Sequence, residues 1–126
     1  NFPEATLMQK ITAGRDQLGS LAPTFAELND DVLFGQVWAR TQQLSPRDRS
    51  LATISALLGA GETGMPLQSH FRMALGNGLT LEEITEVITH VAFYAGWPRA
   101  WNAFNQLKAV LEEDGNTNQD EIDDAN

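Results

Sequence analysis

Gly78-Leu-Thr-Leu-Glu-Glu-Ile-Thr-Glu-Val-Ile-Thr-His-Val-Ala-Phe-Tyr-Ala-Gly96 is the stretch that decides the fold. Thr80 followed three residues later by Glu83 is a capping box, in which each side chain satisfies the other residue's backbone N–H. Leu81, Ile84, Val87, Ile88, Val91 and Ala95 then recur at helical spacing, and Gly96 predicts a left-handed terminator. Beyond it, Trp97 and Pro98 restart the chain as a final helix to about Glu113. Upstream, Pro66 opens a helix through Leu67, His70, Phe71, Ala74 and Leu75 that stops at Gly76, Asn77 and Gly78. Ser45, Pro46 and Asp48 form a second start signal, launching Leu51, Ile54, Ala56, Leu57 and Leu58 until Gly59, Ala60 and Gly61 end the run. Nearer the N-terminus, Leu7, Met8, Ile11 and Leu18 stripe a helix from about Pro3 to Gln17. The region Leu21 to Arg40 is expected to split at Asn29, Asp30 and Asp31, whose short polar side chains suit an N-cap, into a short helix and a longer one. No segment alternates with period two, so the fold class is all-α, a compact bundle of about six helices.

The 126 residues suit one domain with its own core, expected over residues 1–113. The net charge of −9 is uneven. Glu112, Glu113, Asp114, Asp120, Glu121, Asp123 and Asp124 are acids with no base after Lys108, and removing them leaves 8 bases against 10 acids. Residues 114–126 therefore read as an acidic, flexible C-terminal tail. Eight scattered Lys and Arg make no basic surface, so nucleic acid is not an expected partner. No apolar run reaches membrane-spanning length and no signal-peptide pattern opens the chain, so a cytoplasmic, soluble protein without membrane contact is expected. With no Cys there is no disulfide, thiolate nucleophile or Cys-ligated zinc, and chemistry falls to His, Arg, Glu and Tyr.

Two histidines sit in otherwise apolar helices, where a polar group is either paired or functional. His90 lies four residues after Glu86 and four before Tyr94, which predicts one polar seam. His70 has no such neighbours on its helix. The bland reading of each is a structural histidine. Two His on separate helices without HExxH spacing give no metal-ligand set, so no metal is expected. Gly59-Ala-Gly-Glu-Thr-Gly64 lacks the preceding strand of a dinucleotide fingerprint and reads as a helix-ending loop, so no cofactor is expected. Trp97, Trp101 and Phe104 read as core or interface.

Taken together, Leu44-Ser-Pro-Arg-Asp-Arg49-Ser-Leu-Ala-Thr-Ile-Ser-Ala-Leu57, Leu67-Gln-Ser-His70-Phe-Arg-Met-Ala-Leu75 and the Gly78–Pro98 stretch resemble the carboxymuconolactone decarboxylase family. The resemblance implies an alkylhydroperoxidase D-like helical fold, assembled as a homotrimer or homohexamer around pockets near subunit contacts. The redox branch of that superfamily uses Cys-x-x-Cys four residues before a His. Aligning that His with His70 puts Thr63 and Pro66 at the cysteine positions, so a thiol peroxidase mechanism does not carry over. Met65 and Pro66 also stand where the decarboxylase branch commonly has acids.

Decarboxylation of a small lactone or carboxylic acid needs a cation to grip a carboxylate and a group that moves a proton. On the resemblance, Arg49 is the anchor, by bidentate contact, and His70 the acid or base. His90 and Tyr94 would assist, and Glu62 would orient a histidine or act as a base. The alternative expectation is a non-catalytic oligomeric scaffold or small-ligand binding protein of the same fold.

Overall fold

The computed structural model describes residues 10–125, with side chains to Asp114, and divides into two compact units, Asn1–Pro46 and Arg47–Asn126. Among the described residues there are six α-helices, one π-helical segment and no strand, as the periodicity predicts.

In the first unit, α1 spans Ala13–Leu18 and α2 spans Pro23–Glu27. The rest of the predicted first helix, up to Gln9, lies outside the described residues. The expected break at Asn29–Asp31 is absent, because α2 runs straight into a π-helical segment, Leu28–Val37. The polar residues do cap a helix, but a different one. Buried Asp30 accepts hydrogen bonds from the backbone N–H groups of Gly14 (2.8 Å) and Arg15 (3.0 Å), in the first turn of α1. A Cβ on Gly14 would stand 2.7 Å from the Asp30 Oδ1, so glycine is required at that close approach.

The second unit holds α3 (Pro46–Gly59), α4 (Met65–Gly76), α5 (Leu81–Ala95) and α6 (Trp97–Ala125). The acidic tail expected over 114–126 lies almost entirely beyond the described side chains. On α5, Ile84, Ile88 and Ala92 are the buried positions, spaced four apart so that one stripe faces inward. They meet Ile54 and Leu58 of α3, Leu67, Phe71 and Ala74 of α4, and Ala103, Leu107 and Val110 of α6 in one core. The capping box forms as read, with Glu83 N to Thr80 Oγ1 at 3.0 Å and Thr80 N to Glu83 Oε1 at 2.9 Å. Gly96 has the positive φ expected of it, 107°, but a ψ of 144° takes it out of the left-handed helical well. The extended link it makes, open only to glycine, lets α6 begin at the next residue.

Side-chain bonds fix how the helices run. Asn77 donates to the buried Ser50 hydroxyl (3.0 Å), setting α3 and α4 as an antiparallel hairpin. Gln68 donates to Gln106 (2.6 Å) and Arg72 pairs with Glu113, so α4 and α6 run parallel. Arg47 pairs with Glu83, joining the starts of α3 and α5. No described helix is long and apolar enough to cross a membrane.

Candidate active site

Helix α3 carries two arginines that its geometry sends to different sides. Arg47, Leu51 and Ser55 recur every four residues and line a cavity of about 500 Å³ with Leu79, Glu83, Glu86, Val87, His90 and Val91 of the α5 region. Arg49, two residues on and about 200° round the helix, does not line that cavity. It is half-buried, with its Nε out of contact with solvent. His70 and Asn77 are seven residues apart and therefore share a flank of α4, and Asn77 bonds to Ser50 of α3. By this spacing His70 falls on the flank of α4 nearer to α3.

The hairpin register separates the expected catalytic set along its length. Counted back from the Asn77–Ser50 bond along antiparallel axes, His70 falls near the level of Leu57. Arg49 is eight residues further along α3, about 12 Å away on the axis. Helical side chains tilt toward their own N-terminus, so in an antiparallel pair Arg49 leans away from His70. His70 leans toward the closed end, where the loop with Glu62 lies. Glu62 is half-buried and its Oε2 accepts a hydrogen bond from the Gly64 backbone N–H (3.3 Å), at the N-cap of α4.

His70 is half-buried, with Nδ1 withdrawn from solvent, and burial pushes its imidazole below the ordinary histidine pKa. His90 occupies the α3–α5 groove with Glu86, and its ring lies 5.2 Å from that of Tyr94, tilted by 40°. The predicted Glu86–His90–Tyr94 seam therefore exists on an exposed surface, Tyr94 being 80% exposed.

Two further cavities are defined by the described residues. One, of about 340 Å³, is lined by Thr89, Ala92, Trp97, Ala100, Trp101 and Phe104. Another, of about 480 Å³ in the first unit, is lined by Arg15, Gly19, Pro23, Thr24, Ala26 and Glu27. His70, Arg49, Glu62 and Tyr94 line none of these three cavities. Among the described residues no cluster of His, Asp and Glu has the arrangement to hold a metal.

Two cations went unnoticed in the sequence. Arg47 had a signal, since it shares the four-residue stripe of Leu51 and Ser55. Arg99 had none. It lies in the first turn of α6, and its guanidinium donates to the Gly59 carbonyl, 40 residues earlier.

Among the described residues the fold is all-helical, with a half-buried imidazole on α4, and the chain belongs to the carboxymuconolactone decarboxylase family, whose model matches residues 23–109. It is 37% identical over 105 residues to the 4-carboxymuconolactone decarboxylase of Acinetobacter baylyi, covering 83% of this chain and 77% of that protein. It is 38% identical over 87 residues to the nitrosuccinic acid decarboxylase of Metarhizium robertsii, covering 69% of this chain and 59% of that protein.

Proposed function

We propose that this chain decarboxylates a small carboxylic acid whose departing carboxyl group is conjugated, or adjacent, to an electron-accepting group. The two relatives named above support that class, because their compounds share this electronic feature: a nitro group in one, a lactone carbonyl in the other. In such a reaction the carbon–carboxyl bond breaks, carbon dioxide leaves, the electron pair moves into the acceptor, and a proton is then delivered to carbon. The chemistry needs no thiol, and the chain has no cysteine.

The observation that carries the reading is the half-buried imidazole of His70, whose burial depresses its pKa. A cation disfavoured by its surroundings is a stronger acid, so protonated His70 gives up its proton readily to a carbanion and is recharged from solvent. Arg49, on α3, is the proposed carboxylate anchor, and closure of the gap between it and His70 would fall to the substrate. His90 and Tyr94 are proposed to assist, and Glu62 to orient the loop end of the site. A cytoplasmic homotrimer or homohexamer is the proposed setting.

The test is carbon dioxide release from 4-carboxymuconolactone and from nitrosuccinate, wild type against His70→Gln and Arg49→Lys. His70→Gln is expected to lower kcat by about 10²-fold, the usual scale for a lost acid–base group. Arg49→Lys should raise KM more than it lowers kcat, because charge survives while the bidentate fork does not. If neither acid is turned over but both bind, the ligand-binding alternative replaces the enzyme. Full activity in His70→Gln would move the proton donor to His90, which shares a cavity with Arg47.

A further inference from the structure

The loop between α3 and α4 is held from outside by one side chain. Gly61 has φ +82°, a left-handed conformation that L side chains rarely adopt. A Cβ there would stand 3.3 Å from Nε, 3.4 Å from Cζ and 3.5 Å from Nη2 of Arg99. Those near-equal distances put Gly61 over the face of the guanidinium plane. The Nη1 of the same group donates to the Gly59 carbonyl, one of the orphan acceptors at the C-terminal end of α3, where positive charge is favoured. The loop closes on itself through Gly61 N to Leu58 O (3.0 Å) and Glu62 N to Leu57 O (2.9 Å). Arg99 thus ties the start of α6 to the end of α3 and its loop, while Gln68–Gln106 and Arg72–Glu113 tie α6 to α4.

We propose that Arg99 is a positioning residue for the candidate site: its guanidinium locks the α3–α4 loop so that Glu62 and the first turns of α4 hold His70 in a fixed, half-buried setting. The inference rests on the reading of His70 as the proton donor. Arg99 does not act on substrate. It reaches the loop from the α6 side of α4, whereas His70 lies on the α3 side, so its influence passes through the loop. A flat, delocalised cation is the group that fits, since it can stack on a glycine and bond a carbonyl at once. Leu57, whose carbonyl holds the Glu62 amide, is the residue that the Asn77–Ser50 register puts near the level of His70.

The experiment compares wild type, Arg99→Ala and Arg99→Lys in the full chain by three readouts. Amide exchange at Gly61, Glu62 and Gly64 is expected to speed up by tenfold or more in Arg99→Ala. The His70 imidazole, followed by NMR titration, is expected to shift upward toward its ordinary pKa as water enters, with Arg99→Lys intermediate in both. On whichever acid the wild type decarboxylates, kcat should fall about tenfold in Arg99→Ala while KM changes less than twofold, the smaller end of positioning losses. The first two readouts need no substrate. Inactivity of the wild type on both acids would therefore defeat the proposed function while exchange and titration still judge Arg99. Unchanged exchange, an unmoved His70 titration, or faster exchange with full kcat in Arg99→Ala would each overturn the proposal.

Discussion

Arg47 and Arg49 stand two positions apart and do unlike work. Arg47 is held by Glu83 and Asp48 and ties the starts of α3 and α5, whereas Arg49 lies about 200° round the helix from it. The family resemblance named Arg49, whereas spacing round the helix puts Arg47, and not Arg49, on the cavity with Leu51 and Ser55. At this scale the His70 assignment makes a pH prediction. Burial disfavours its cation, so the protonated, acid-competent fraction declines as pH rises through a value below the ordinary 6.5. The kcat/KM profile should carry an alkaline-side decline with its midpoint below 6.5 that disappears in His70→Gln. Stability has the matching sign. Above the unfolded-state value both forms are neutral and nothing is lost, but as pH falls from there through the folded-state pKa the unfolded chain binds its proton first, and stability drops. Gly61 gives a second prediction. Gly61→Ala meets both a left-handed φ and the Arg99 guanidinium, and should cost about 1–2 kcal/mol in denaturant titrations. An unchanged midpoint would mean that the loop adopts another backbone conformation in solution.

Helix ends separate what was readable from what was not. The Thr80–Glu83 capping box is written within four residues, and it formed as the sequence predicts. Asp30 caps a helix 16 residues earlier, and no local rule assigns a cap to a partner at that distance. The same holds for Arg99, and for the register that spreads Glu62, His70 and Arg49 along the hairpin: helical periodicity fixes which flank a residue occupies, while Asn77 and Ser50 fix its level. Burial acts to raise the Asp30 pKa, but the bonds from Asn29 and from the Arg15 and Gly14 backbone, with the Arg15 charge, outweigh it and hold the carboxyl below the usual range. A depressed carboxylate pKa contributes stability that is present above the unfolded-state value, near 3.8, and lost as pH falls through the folded-state value. Asp30→Asn should therefore speed amide exchange at Gly14 and Arg15 at neutral pH, once intrinsic rates are corrected. The difference from wild type should close as pH falls below that range. A difference that persists undiminished once the wild-type carboxyl has been protonated would assign the effect to shape rather than charge.

For the second unit taken as a whole, the apolar surface left outside its core calls for an explanation. Phe93 (77%), Tyr94, Trp97 (55%) and Trp101 (63%) are exposed together around the link between α5 and α6, beside the apolar cavity of Thr89, Ala92 and Phe104. Phe93 packs edge-on against Trp97 at 5.6 Å, so these rings form a patch rather than scattered single residues. Patches of exposed aromatics on a monomer mark contact surfaces, and aromatic residues are the side chains that carry most of the energy in such contacts. The sequence reading gave Trp97, Trp101 and Phe104 as core or interface; Trp97 and Trp101 are exposed, whereas Phe104 packs partly buried against the core. The patch predicts self-association, and the family resemblance is what implies a closed trimer or hexamer for it. Light scattering at micromolar concentration should give a mass of three or six times 13.8 kDa. Trp101→Asp should shift that mass toward the single chain, since a carboxylate desolvated in the contact loses its hydration without gaining a partner. Circular dichroism should hold its helical signal in the variant, because Trp101 lies outside the core formed by Ile84, Ile88, Ala103 and Leu107. A wild-type chain that scatters as a monomer would leave the patch to a different partner, and a Trp101→Asp protein that keeps its assembly would put the contact on another face.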